Sequence, residues 1–168
     1  MVDRDVRPGR PEVTPRPHEG PEQGRCRPSL GVLLFIPYRH LEQRILRAVN
    51  DAGYAITLAQ ARMAQRIDEH GSRLTHLAEA AQVTKPTAGY LVDQLEKDGY
   101  VRRVPDPADA RARLVRFTAR GLEVIAVARA VQDDIEGQWR DHLGPQRTDD
   151  LIEALTDLRT LTDPYLTT

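Results

Sequence analysis

The strongest constraint on this chain is the run HLAEAAQVTKPTAGYLVDQLEKDGYVRRVPDPADARARLVRFTARG, residues 76–121. It holds two short helical patterns separated by a few turn residues, followed by two β-prone runs. Thr75 is placed to cap HLAEAAQ, Val83 and Thr84 form a tight turn, and Thr84 caps KPTAGYLVDQLEKDG. Ala88, Leu91, Val92 and Leu95 make one apolar stripe on that second helix. Pro86 is harmless in its first turn, where the missing N–H has no partner to lose, and Gly99 ends it. YVRRV and RLVRF then bracket PDPADARA, which predicts a hairpin with a long polar tip. Two helices joined by a short turn make a helix-turn-helix, and a hairpin after the second makes it winged.

The flanking sequence predicts more helix. Ser29 caps a pattern running to Asn50 through Leu30, Leu33, Leu34, Leu41, Ile45, Leu46 and Val49, with Pro37 expected to kink or break its first turns. Thr57 caps LAQARMAQRIDEHG, expected to be helical up to Gly71, and Arg73 and Leu74 form a short extended piece. Thr118 caps a long helix to about His142, and a last helix covers roughly 148–161. The fold class is therefore mainly α with a small β-hairpin wing, a winged helix-turn-helix between further N- and C-terminal helices. Residues 1–28 hold six of the twelve prolines, mixed charges and few large apolar side chains, too little to offset ordering entropy, so a disordered tail is expected. The chain divides into that tail, an N-terminal helical segment at 29–56, the winged unit at 57–117 and C-terminal helices at 118–168.

A net charge of −1 exerts no global pull on nucleic acid, so any electrostatic function is local. Within 101–116 five arginines (102, 103, 111, 113 and 116) stand against Asp106 and Asp109, a basic spot where an anion would dock. The helix from 84 to 98 is about 22 Å long, and its N-terminal end can enter a DNA major groove. With the apolar stripe turned inward, Lys85, Pro86, Gly89, Tyr90 and Asp93 face outward. Lys85 suits phosphate or guanine, Thr84 and Thr87 suit phosphate or a base edge, Gly89 permits close approach, and Tyr90 adds a hydroxyl and an aromatic face. The plainer alternatives are that Thr84 is only a cap and Lys85 only a solvated charge. No Gly-rich phosphate loop, HExxH or Cys-His cluster is present, and the histidines (18, 40, 70, 76, 142) show no repeated metal spacing. No catalytic residue, metal or cofactor is expected. The longest apolar run, LGVLLFIPY, is too short to span a bilayer, which points to a cytoplasmic protein with no membrane partner.

The order of elements, together with Asp109-x-Arg111-x-Arg113 followed by LV, T and G, resembles the MarR family of bacterial transcriptional regulators over about residues 30–162. The resemblance implies that Asp109, Arg111 and Arg113 form the wing motif, with Arg111 in the minor groove and Asp109 orienting its guanidinium; Asp109 as a mere turn former is the alternative. It implies a homodimer interlocked through its termini, with Leu30, Leu33, Leu34, Trp139, Leu143, Leu151, Leu155, Leu158 and Leu161 as interface candidates unless they form intrachain core. Such a dimer would bind double-stranded DNA carrying an inverted repeat, as a repressor released by a small aromatic or phenolic ligand. Tyr38, Arg39, His40, Arg62 and Met63 lie on the helices that would hold that ligand. Tyr90 stands where relatives often have Arg, Gly89 where they have a polar residue, and Ala110 where a further Arg is frequent. Gln82 replaces a common turn glycine, at a cost of up to about 1 kcal/mol if φ is positive there. The other readings are a winged module for protein contact and a redox sensor using Cys26, the single cysteine.

Overall fold

Four of the helix starts are built as their capping residues require in the computed structural model, which describes residues 27–163. Val32 N–H donates to Ser29 Oγ at 3.4 Å, Thr87 N–H to Thr84 Oγ1 at 3.3 Å and Gly121 N–H to Thr118 Oγ1 at 3.1 Å. Thr57 forms a full capping box: Gln60 N–H donates to its hydroxyl at 3.3 Å while Thr57 N–H donates back to Gln60 Oε1 at 2.8 Å. These caps open α1 (Leu30–Asp51), α2 (Leu58–Ala64), α4 (Lys85–Lys97) and α5 (Ala119–Leu143). The remaining elements are β1 (Ser72–Arg73), α3 (Leu74–Ala80), β2 (Val101–Asp106), β3 (Asp109–Phe117) and α6 (Pro145–Thr162). Residues 1–26, including Cys26 and most of the expected tail, lie outside the described residues.

The three strands form an antiparallel sheet in the order β1-β3-β2, with Ser72 opposite Val115 and Arg102 opposite Arg116. Below it, α2, α3 and α4 enclose the core, where Met63, Leu77, Val92, Leu95, Val101 and Val115 are almost wholly buried. α5 leaves the end of β3 by passing so close to Tyr100 that only glycine fits at position 121. It then packs along α1, where Arg44 reaches Asp134 at 3.1 Å and Gln138 at 3.0 Å.

Several local expectations need correction. α2 stops at Ala64 instead of running to Gly71. Arg66 and Ile67 close tighter turns onto Met63 and Ala64, Asp68 N–H donates to Ser72 Oγ at 3.0 Å, and the change of direction buries Ile67. Thr75 caps nothing: α3 begins at Leu74 because Arg73 is still paired in the sheet, so the chain passes directly from strand to helix. The wing has no long polar tip. Its strands extend until Asp106 pairs with Asp109 across a turn of Pro107 and Ala108, and a register shift falls between Pro105 and Asp106. α1 runs unbroken through Pro37, within a stretch where every residue from 30 to 40 is exposed. There water can satisfy the Leu33 carbonyl left without its N–H partner. Gln82 does adopt the left-handed conformation suspected of it, with φ at 54°.

The terminal helices are poorly covered within this chain. Leu30 is 65% exposed and Leu161 83%; Leu33, Leu34, Leu151, Leu155 and Leu158 are also exposed, while Trp139 and Leu143 are half-buried. The seven exposed leucines among these candidates are therefore not intrachain core. Among the described residues, no helix is long and apolar enough to cross a membrane.

Candidate nucleic-acid interface

Ala88, Val92 and Leu95 are buried and Leu91 half-buried, so α4 turns the opposite face to solvent. Thr84, Lys85, Pro86 and Thr87 are exposed at its N-terminal end, and Tyr90 is 64% exposed one turn further on. The hydroxyls of Thr84 and Thr87 share a hydrogen bond at 2.8 Å, so the cap also presents a paired hydroxyl surface. Gly89 departs from the expected outward position. It is half-buried, and a Cβ there would meet Leu74 Cδ2 at 3.9 Å, so the position faces α3.

The basic spot is smaller than the arginine count implies. Arg103 turns toward α4, where its guanidinium bonds Asp93 Oδ1 at 2.7 Å and also Glu96, and its N–H donates to Glu96 Oε1 at 2.8 Å. That side chain fastens the wing to α4. Among the described residues, Arg102, Arg111, Arg113 and Arg116 have no carboxylate within salt-bridge distance. Their charge is thus uncompensated, and Arg111 and Arg113 carry it to the exposed end of the hairpin.

Asp109 acts on the main chain of Arg111 instead of its guanidinium: Oδ1 accepts from Arg111 N–H at 3.0 Å. Two residues passed over in the sequence complete this end. Asp106 is buried, accepts from Ala108 N–H at 2.9 Å and receives Arg73 Nε at 2.7 Å. The Ala108 amide, and then the Arg73 guanidinium, hold its carboxyl below the usual carboxylate range.

The residues assigned to a ligand site do not come together as expected. Met63 is 1% exposed and belongs to the core. Arg39 lies over the Phe35 ring at 5.9 Å, and His40 is exposed. Tyr38 and Arg62 do meet, through Glu42, a buried carboxylate that receives Arg62 Nε at 2.6 Å, Arg62 Nη2 at 2.8 Å and the Tyr38 hydroxyl at 3.3 Å. The Arg62 hydrogen bonds hold Glu42 below its usual range against the opposing effect of burial, while burial and then the Glu42 charge push the Tyr38 hydroxyl up. The family resemblance grouped Tyr38 with Arg62, but nothing in the sequence marked Glu42 as the residue that joins them. A cavity of about 780 Å³ lies between α1, α2 and α5, bordered by Glu42 of that cluster and lined by Ile45, Val49, Leu58, Ile125 and Arg129 among others. None of Tyr38, Arg39, His40, Arg62 and Met63 lines it.

Fold and surface together define a winged helix-turn-helix protein. The model of the MarR family matches residues 44–112, from within α1 to within β3. The transcriptional regulator HosA of Escherichia coli O111:H- is 37% identical over 76 residues, covering 45% of this chain and 56% of HosA. The chain thus spans little more than half the length of that curated relative. The crystal structure of the transcriptional regulator Tm0710 from Thermotoga maritima is 30% identical, covers 78% of this chain and 92% of its own, and superposes with a TM-score of 0.58. A crystal structure of MarR, 24% identical, reaches a TM-score of 0.65 over 80% of this chain and 98% of its own, and supports the fold. The chain belongs to the MarR family, whose relatives here are named as transcriptional regulators and not as enzymes.

Proposed function

We propose that this protein is a transcriptional repressor that binds an inverted-repeat DNA site as a homodimer. The observation that carries this reading is the division of the exposed surface. α4 presents Lys85, Thr87 and Tyr90 free of the core, and the hairpin presents Arg111 and Arg113 with no carboxylate among the described residues within salt-bridge distance. A helix end of that chemistry matches the major groove, and unpaired guanidinium groups on a narrow ribbon match the negative potential of the minor groove. Exposed leucines on α1 and α6 support assembly through the termini, since monomers rarely leave so many large apolar side chains on one surface. Two-fold pairing would set the recognition helices about 34 Å apart, one DNA turn, and so select an inverted repeat.

The cavity between α1, α2 and α5 is the better place for a releasing ligand than the cluster at Tyr38. Its apolar wall suits an aromatic ring, and it adjoins both a terminal helix and the winged unit, so occupancy could shift one against the other.

The test is selection of bound duplexes from a random pool, followed by titration of the selected site against scrambled DNA over a range of salt. An enriched inverted repeat bound at least 10³-fold more tightly than scrambled DNA supports the reading. Absence of any enriched sequence, with an acidic protein captured through the wing instead, would replace it with a protein-contact role.

A further inference from the structure

The wing is tied down by a residue that lies outside it. Arg73 of β1 stands opposite Leu114 in the sheet, and its guanidinium extends to the hairpin end, with Nε at 2.7 Å and Nη2 at 2.6 Å from Asp106 Oδ2. The second oxygen of Asp106 accepts the Ala108 N–H at 2.9 Å, so a single carboxylate joins β1 to the two-residue turn. Asp106 is only 7% exposed, and a buried carboxylate is tolerable only when both oxygens are satisfied, as they are here. On the far side of the turn, Asp109 Oδ2 lies 3.8 Å from Arg73 Nη2 while its other oxygen holds the Arg111 N–H at 3.0 Å. One guanidinium therefore faces both residues that flank the turn.

Among the described residues, β1 pairs only with Leu114 and Val115 of β3. Beyond them, toward Asp109, the ribbon has two strands, and an isolated two-stranded ribbon is marginal in water. A register shift at Pro105 and Asp106 loosens the pairing further. The ion pair supplies the anchorage that the short third strand does not. A guanidinium suits the task because its fork can address two carboxylates in fixed directions, which a lysine ammonium cannot.

We propose that Arg73 is the positioning residue of the DNA-reading wing: by holding Asp106 and Asp109 it sets the turn from which Arg111 and Arg113 project. The inference rests on the DNA-binding reading above, but its first measurement needs no DNA. In the full chain, Arg73→Ala should speed hydrogen exchange at the Ala108 and Arg111 amides about tenfold and leave the α4 amides unchanged. On the selected duplex, Arg73→Ala and Asp106→Asn should each lower affinity about tenfold. In double-mutant cycles the Arg73→Ala loss should largely vanish in the Arg111→Ala background and persist in full with Lys85→Ala. A merely structural role would weaken both contacts alike. Should Arg73→Ala fold poorly, Arg73→Gln and Arg73→Lys keep the side-chain stem and should show the same selective coupling, with Lys the milder.

Unchanged exchange at the turn overturns the anchoring. Faster exchange with undiminished affinity overturns the positioning of the DNA contact. Loss with Arg73→Ala but a gain with Asp106→Asn would mean that Arg73 itself meets phosphate, and would overturn the inference too. Failure of the wild-type protein to bind any duplex, with the exchange result as expected, removes the DNA reading and leaves only a structural anchor.

Discussion

Replacing Gly121 with alanine should weaken the joint between α5 and the wing, and the size of the effect follows from the local geometry. A Cβ at this position would lie 2.1 Å from the Tyr100 carbonyl oxygen and 3.1 Å from Phe117 Cδ1, against 3.4 Å for ordinary contact. Relief of the first clash therefore needs a movement of roughly 1.3 Å, taken as 3.4 minus 2.1. The Tyr100 carbonyl cannot move that far unaided. It accepts from Thr118 N–H at 3.0 Å and from the Thr118 hydroxyl at 3.2 Å, and the same hydroxyl caps α5. Overpacking costs about 1–3 kcal/mol, and weakening two hydrogen bonds costs about 1 kcal/mol each. Alanine returns about 1 kcal/mol through its helix propensity. The net loss is about 2–4 kcal/mol, which lowers Tm by roughly 4–16 °C in a chain of this size. Gly137, on the same helix, provides the control: a Cβ there meets nothing within 4 Å and the position is exposed. Gly137→Ala should stabilise by about 0.5–1 kcal/mol. Urea unfolding followed by circular dichroism, with calorimetry at matched protein concentration, measures both. A Gly121→Ala protein melting within 2 °C (roughly the effect of 1 kcal/mol) of the wild type would refute the steric argument, as would equal shifts in the two variants.

Gln82→Gly should raise the urea midpoint by about 0.5–1 kcal/mol equivalent with an unchanged slope, because the residue holds φ at 54°; an equal gain from Gln82→Ala would show that the backbone is not the cause. Glu42 has a folded pKa below its ordinary 4.5, so its contribution is fully present above that value and is lost as pH falls through the lowered folded value. Glu42→Gln should accordingly be less stable than wild type at neutral pH, and the gap should close on acidification; a constant gap between pH of about 7 and about 3 would contradict the linkage. Arg111→Ala should cost about 1–3 kcal/mol of DNA affinity, whereas Lys85→Ala should lower affinity across sequences and reduce the salt slope by about one, both read by titration at several salt concentrations. Leu155→Glu combined with Leu158→Glu should convert a dimer into a monomer in sedimentation, since both side chains lie exposed on α6; a wild-type protein already monomeric at micromolar concentration would remove the premise.

What could be read without the tertiary structure was whatever neighbours along the chain decide. Ser29, Thr57, Thr84 and Thr118 cap helices because a side-chain oxygen needs only an N–H three residues away. The stripe of Ala88, Val92 and Leu95 follows from helical spacing, while the strained backbone at Gln82 was flagged by the family resemblance, which places a glycine there. The site escaped reading wherever its partners are distant. Arg73 meets Asp106 across 33 positions and Arg62 meets Glu42 across 20. Arg103 looked like part of a basic patch until the sheet carried it against Asp93 and Glu96, and Met63 looked like a ligand contact until α2 turned it into the core. Local rules specify which elements form and which residues share a face. Which charges remain free to meet a partner depends on how those faces pack, because a hydrogen bond or ion pair forms only where folding brings its two groups within about 3 Å.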